Sequence, residues 1–284
     1  MKRIKLFFGM LFMLLLFSAP MSVSADMGPK PIVSIEFIGL EEEEYYVTLL
    51  SEKRYSHLHS TESSDYEDEK ELAVFEKFLQ YEDIDGYYFL KYMEDCSETD
   101  VFGWDYMPPN KFKILIYLPQ YDRFIASEEI YETYAFDSYY TVRVSGADAT
   151  VLKAEQSYDY LKEIFCLLIR IIMTIAVESC IALLFYSSSK RAMSVIFTFN
   201  VITQIILNVL LNIIDYKSGG FAFLVFYVQM EFIVFMIEAV AFRMLLGRRN
   251  PETGKRNHPF IYAALANFIS FQVGYFGSFL SEIL

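Results

Sequence analysis

Apolar residues follow two rhythms along this chain. Up to about residue 160 they come in short bursts, and beyond it in runs long enough to cross a bilayer. In the first part, Ile32–Ile38 alternates partly at period two, and Tyr45–Leu50 is β-branched and aromatic, so both predict strands. Gly39 and Glu41–Glu44 between them predict a solvated turn. Residues 51–69 are polar and loop-like. From Asp68 to Gln80, Leu72, Phe75, Phe78 and Leu79 share one stripe and predict a helix. Asp85-Gly86 predicts a turn, and Tyr87–Tyr92 fits either strand or helix. Pro108-Pro109 breaks the chain before a clean strand, Phe112–Leu118, with further strands at Arg123–Ala126 and Tyr134–Val144. Many short aromatic-rich strands with one or two helices predict a β-sandwich of Ig-like or transthyretin-like size.

Four apolar runs follow, at about 161–186, 192–214, 220–243 and 259–281, each near the ~20 residues a spanning helix needs. They predict a four-helix transmembrane bundle. Lys190 and Arg191 lie between the first two runs. Arg248, Arg249, Lys255 and Arg256 lie between the last two. Asp215 and Lys217 cancel in the middle connection. The positive-inside rule makes loops 187–191 and 244–258 cytoplasmic and residues 26–160 extracytoplasmic. The N-terminus agrees. Lys2, Arg3 and Lys5 precede the apolar stretch Leu6–Phe17, and Val23-Ser24-Ala25 fits a cleavage site, so residues 1–25 read as a signal peptide. An uncleaved N-terminal span would give the same topology downstream.

Charge sharpens this division. Residues 26–160 hold 11 basic and 30 acidic side chains, a net of −19, and the rest hold 13 and 7, a net of +6, which together give the chain's −13. Two halves of opposite sign predict two environments. The acidic half is unsuited to nucleic acid, whose phosphates require Lys and Arg. Cys96, Cys166 and Cys180 form no disulfide framework and no CxxC, although a Cys96–Cys166 bridge is possible.

The apolar runs carry polar residues at membrane depth. The second holds Asn200, Gln204, Asn208 and Asn212 at a constant interval of four. Each step advances about 400° on a helix, so the amides form one slanted ridge. Lipid cannot satisfy amides, and the ridge must face protein or a wet cavity. The first run adds Arg170 and Glu178, the third Gln229, Glu231 and Glu238, and the fourth Asn267 and Gln272. Interpolated depths put Glu178, Asn200 and Asn267 at one level nearer the cytoplasm, with Glu238 slightly deeper. Glu231, Gln204 and Gln272 fall near the midplane, and Arg170 and Asn208 nearer the outside. Two readings stand. Glu178, Glu231 and Glu238 line an ion or proton pathway with the amides, or the same groups hold a structural bundle together through interhelical hydrogen bonds of about 0.6 kcal/mol each.

The soluble half offers less. His57-x-His59 sits in a polar loop without nearby Cys, and a plain loop explains it. Glu82-Asp83-Ile84-Asp85-Gly86 lacks the full spacing of a calcium loop and reads as a solvated turn. The motifs GxSxG, HExxH, Walker A and GxGxxG do not occur, and no cofactor or metal is expected.

The DMGPKP start, YEDIDGYYFLKY, FKILIY and YAFDSYY, with NVITQIILNVLLNIIDY and EFIVFMIEAVAFR in the spans, resemble a group of uncharacterised membrane proteins of Gram-positive bacteria. Those proteins carry a signal peptide, an extracytoplasmic domain opening with GPKP and a C-terminal membrane block. Ser usually follows GPKP there, where this chain has Ile32. The resemblance implies architecture and compartment and brings no activity with it. The expectation is a non-enzymatic, multi-pass cell-envelope protein, a binding or accessory protein or a sensor, whose ectodomain Tyr and Phe supply contact surface. Its partners would be the lipid bilayer, with another envelope membrane protein or a second copy of itself. The alternative is a small transporter or channel using Glu178, Glu231 and Glu238.

Overall fold

The computed structural model describes residues 29–54, 62, 66, 68–146, 149–186, 189–246, 249, 254 and 258–283. Residues 1–25, read above as a signal peptide, the His57/His59 pair and parts of the basic connections 187–191 and 244–258 lie outside the described residues. Two compact units emerge. One is Pro29–Tyr158 together with Tyr216–Gly219, and the other is Asp159–Asp215 with Gly220–Leu284.

The first unit is β-rich. Its strands are β1 (Ile32–Ile38), β2 (Tyr46–Ser51), β3 (Tyr88–Phe89), β4 (Glu94–Asp95), β5 (Val101–Trp104), β6 (Lys111–Leu118), β7 (Arg123–Ala126), β8 (Tyr131–Glu132), β9 (Asp137–Arg143) and β10 (Ala154–Gln156). They form two sheets, ordered β10-β9-β1-β5 and β3-β2-β6-β7, with β4 beside β2 and β8 beside β6. The pairing of β1 with β9 is parallel, from Ile32 opposite Asp137 to Ile38 opposite Arg143. The other named pairs are antiparallel.

One hydrophobic core is shared by both sheets. Val33, Ile35 and Phe37 of β1 meet Val47 and Leu49 of β2 and Ile114 and Ile116 of β6. The intervening residues of β2 and β6 are buried too. Tyr46, Leu50, Leu115 and Tyr117 pack against helix α1 (Glu69–Gln80) through Val74, Phe75 and Phe78. Strands covered on both faces are continuously apolar, which is why FKILIY carries no alternation. Asp68 caps α1 by accepting from the Lys70 N–H, and Glu69 and Glu71 favour its first turn. The helix buries a slightly different stripe from the one expected. Val74 takes an inward place and Leu79 stays 45% exposed, because the sheet covers a narrower arc than the apolar positions span.

The second unit is helical, with α2 (Tyr160–Tyr186), α3 (Lys190–Leu245) and α4 (Pro259–Ile283). Helices α2 and α3 are long and apolar enough to cross a membrane. The middle connection differs from expectation, since Asp215–Ser218 continue the helix and the break falls at Gly219 alone. There φ is 78° and ψ 172°, a region essentially confined to glycine. The helical unit exposes large apolar side chains and buries carboxylates and amides beside two apolar clusters. Leu161 and Leu184 are 81% and 82% exposed, while Glu178, Gln204 and Ser270 are fully buried.

Candidate functional site

The amide ridge faces protein along three of its four turns. Asn200, Gln204 and Asn208 are buried, and Asn212 is half-buried at the end of the row. A continuous row of hydrogen bonds follows. Arg170 Nε donates to Asn208 Oδ1 over 2.7 Å. Asn208 Nδ2 donates to Gln204 Oε1 over 3.1 Å. Gln204 Nε2 donates to Glu178 Oε1 over 3.2 Å, and the Ser270 hydroxyl donates to the same oxygen over 2.9 Å. The row thus joins α2, α3 and α4.

A second knot surrounds Glu238. The Thr203 hydroxyl donates to Oε1 over 2.6 Å and Asn267 Nδ2 to Oε2 over 2.7 Å. Ser270 connects the knots, for its hydroxyl also lies 3.2 Å from the Asn267 carbonyl, and the Tyr262 hydroxyl accepts from Asn200 Nδ2 and donates to the Glu178 carbonyl, each over 3.3 Å. Residues expected at one depth, Glu178, Asn200 and Asn267, therefore share neighbours. So do Arg170 and Asn208.

The remaining predicted positions stand apart. Glu231 is buried on the same arm as Glu238, with Oε2 unpartnered. Arg170 does not pair with it. The guanidinium lies 5.1 Å from the Phe223 ring centroid and bonds Asn208 instead. Asn212 Nδ2 reaches Glu163 over 3.4 Å, and Gln272 is half-buried and joins none of these bonds. Thr203, Tyr262 and Ser270 were not singled out from the sequence. Small hydroxyls and tyrosines are common in apolar helices, and only the carboxylates and amides they touch give them meaning.

Gly274 belongs to this packing. A Cβ there would run into the Tyr227 hydroxyl, which donates to the Phe271 carbonyl over 2.9 Å.

The β-rich unit carries two further arrangements. Where β8 approaches β9, a cleft of about 380 Å³ is lined by Tyr131, Tyr134, Tyr140, Glu132 and Gln156, among others. Tyr131 and Tyr140 lie edge-on at 5.5 Å, and Tyr134 and Tyr140 at 5.6 Å. The hydroxyls hold the walls. Tyr140 donates to the Glu132 carbonyl over 2.5 Å, and Tyr131 accepts from the Ala154 N–H over 2.8 Å. Burial pushes the Tyr140 phenol up to about 12, so it stays neutral.

The second is the Glu82–Gly86 turn, which holds an ammonium. Lys113 of β6 is buried and bonds Asp83 at 2.9 Å and Asp85 at 2.8 Å. Burial alone would lower its pKa, but the two carboxylates outweigh this and raise it. The resemblance to a calcium loop thus reduces to carboxylates already neutralised by the chain. Among the described residues, no group of three or more His, Cys, Asp and Glu is placed to hold a metal. Cys96, Cys166 and Cys180 are free thiols.

No protein-family model matches this chain, and neither a curated protein nor a solved structure does.

Proposed function

We propose that this chain is a non-enzymatic, multi-pass protein of a bacterial cell envelope that acts as a binding or accessory protein through its β-rich unit. On this reading residues 1–25 are a signal segment, and residues 26–160 form a sandwich-like domain outside the membrane. The arms of α3, with α2 and α4, make a four-span bundle. The inside-out distribution of the helical unit supports the membrane assignment, because a water-facing helix would not expose Leu161 and Leu184 while burying Glu178. The observation that carries the binding role is the tyrosine cleft between β8 and β9. Concave, aromatic-walled sites with few fixed polar groups are where ligands and partner side chains bind. The test is mild-detergent affinity purification from native membranes with mass spectrometry. A stoichiometric partner, lost on deletion of residues 26–160 and weakened by Tyr134→Ala, is expected. A protein that purifies alone with every variant would overturn the role.

A second reading, an ion or proton pathway through Glu178, Glu231 and Glu238, is favoured by the buried carboxylates themselves. It predicts that Glu→Gln changes at these positions abolish flux in proteoliposomes without lowering expression.

A further inference from the structure

The tyrosine cleft lies between β8, at an edge of one sheet, and β10, at an edge of the other. Glu155 of β10 pairs with Thr141, and the Ser157 N–H bonds the Tyr139 carbonyl, so these residues turn their main-chain groups towards β9. Alternate residues of an edge strand point the other way. Ala154 and Gln156 therefore point theirs away from β9. The Ala154 N–H agrees, since it donates to the Tyr131 hydroxyl over 2.8 Å. On β8 the Thr133 N–H bonds the Asn110 carbonyl, so Glu132 faces away from β6. Its carbonyl accepts from the Tyr140 hydroxyl over 2.5 Å. Two phenols thus join the sheet edges where a ladder would otherwise run.

These contacts decide what the cleft can still bind. The Tyr131 and Tyr140 hydroxyls are committed to its walls, and the Tyr134 hydroxyl accepts from the Tyr139 N–H and donates to the Tyr139 carbonyl. The Gln156 side chain bonds Tyr140, and the Glu132 carboxylate pairs with Lys111 over 3.1 Å. Groups already engaged do not define a site for a sugar or a compact cation. The main chain is different. Among the described residues, the Ala154 carbonyl and the N–H and carbonyl of Gln156 have no hydrogen-bond partner, and both residues line the cleft. What matches an open edge of donors and acceptors is another extended strand. Charge sets the partner's sign. Glu155 bonds Arg143 but keeps its side chain 68% exposed beside this edge, and residues 26–160 carry a net of −19. A basic side chain opposite a strand glutamate is favourable, and an acidic one is repelled.

We infer that an extended, basic peptide segment of a partner protein adds as a further strand to the β10 edge at Ala154 and Gln156, with its side chains against Tyr134 and Tyr140. The inference rests on the binding role proposed above and names the chemistry of the partner.

The test uses the full chain in detergent, immobilised and panned with a displayed library of random, cysteine-free dodecapeptides. Enriched peptides are resynthesised, and their binding is followed by fluorescence anisotropy. Sequences rich in Lys and Arg are expected. Only one edge of the peptide meets β10, so methylating every second amide should weaken binding by about tenfold or more in one register and change it little in the other. Gln156→Pro removes the edge N–H without touching the bonds to β9, and proline is tolerated on strand edges. It should bind about tenfold more weakly than Gln156→Ala, which keeps that N–H. Should Gln156→Pro fail to fold, the methylated peptides carry the test. No enrichment over detergent-only beads, acidic winners, or binding indifferent to methylation in both registers overturns the inference. A native partner that co-purifies equally with wild type and folded Gln156→Pro overturns it too, while sustaining the binding role. Failure of both panning and co-purification removes both.

Discussion

Thr203 and Glu238 stand 35 positions apart in the chain, yet the threonine hydroxyl donates to the glutamate carboxylate over 2.6 Å. At about 1.5 Å of rise per residue, an unbroken helix would hold them roughly 50 Å apart. The chain must therefore reverse between them, and the reversal rests on one residue. Gly219 has φ 78° and ψ 172°, within an otherwise helical stretch.

Gly219→Ala is the first prediction. A Cβ at that backbone conformation costs on the order of 1–3 kcal/mol, since L-residues scarcely populate it. The variant should unfold several degrees below wild type in detergent. A crosslink between cysteines placed at 203 and 238 should form less completely in that background. Unchanged melting and crosslinking would mean that another residue makes the turn.

Lys113 gives the second. Asp83 has a side chain only 2% exposed and depends on this ammonium for its neutralisation. Removing one partner of a buried pair leaves a stranded charge, so Lys113→Ala should cost about 3–5 kcal/mol. Lys113→Met combined with Asp83→Asn should recover most of it. The folded pKa of Lys113 is raised. Its stabilisation is therefore complete below the ordinary lysine range and fades only as pH climbs through the raised value. At neutral pH the loss in Lys113→Ala should be at its full size by urea unfolding. A variant as stable as wild type refutes the pairing.

How much of this was legible beforehand follows from which physics is local. The strands Ile32–Ile38 and Phe112–Leu118, the capped helix at Asp68 and the first apolar run are written in neighbouring residues and stand where expected, whereas the two middle runs join in one helical stretch broken only at Gly219. The parallel β1–β9 pairing was not legible, because Ile32 meets Asp137 across a hundred residues of intervening chain. The amide ridge was legible as a face, since spacing fixes the angle around a helix. Which carboxylate each amide meets was not. Glu178 finds Gln204 while Glu238 finds Asn267, and that choice is set by how the helices pack. Lys113 was hidden for a similar reason. Within FKILIY it looks like a solvent-facing strand residue, and only the return of the Glu82–Gly86 turn over that face encloses it.

The thiols supply a third prediction. Cys96 is fully buried in the β-rich core. Burial raises its pKa strongly, and Glu94, Asp95 and Asp100 push the same way. Thiolate is the reactive form, so native Cys96 should resist maleimide at pH 7 and react at once in denaturant. Mass spectrometry of the labelled peptides reads this directly. Rapid native labelling of Cys96 would show that the core opens far more readily than its packing implies.

Asp137 opens β9, half-buried opposite Ile32. Burial raises its carboxyl pKa above the ordinary aspartate value. The sign follows from linkage. A group that holds its proton more tightly when folded favours folding below the unfolded pKa of about 3.9, and this is lost as pH rises through the folded value. At pH 7 the ionised carboxylate is therefore a small burden on the fold. Asp137→Asn should remove it and raise Tm by about 1–2 °C, since half-exposed sites seldom exceed roughly 0.5 kcal/mol. The difference between variant and wild type should shrink as pH falls through the folded value and vanish only well below about 3.9, where the carboxyl is protonated in both states. Paired melts across that range check it. A variant less stable than wild type at pH 7 would mean that the carboxylate makes a favourable contact outweighing its burial.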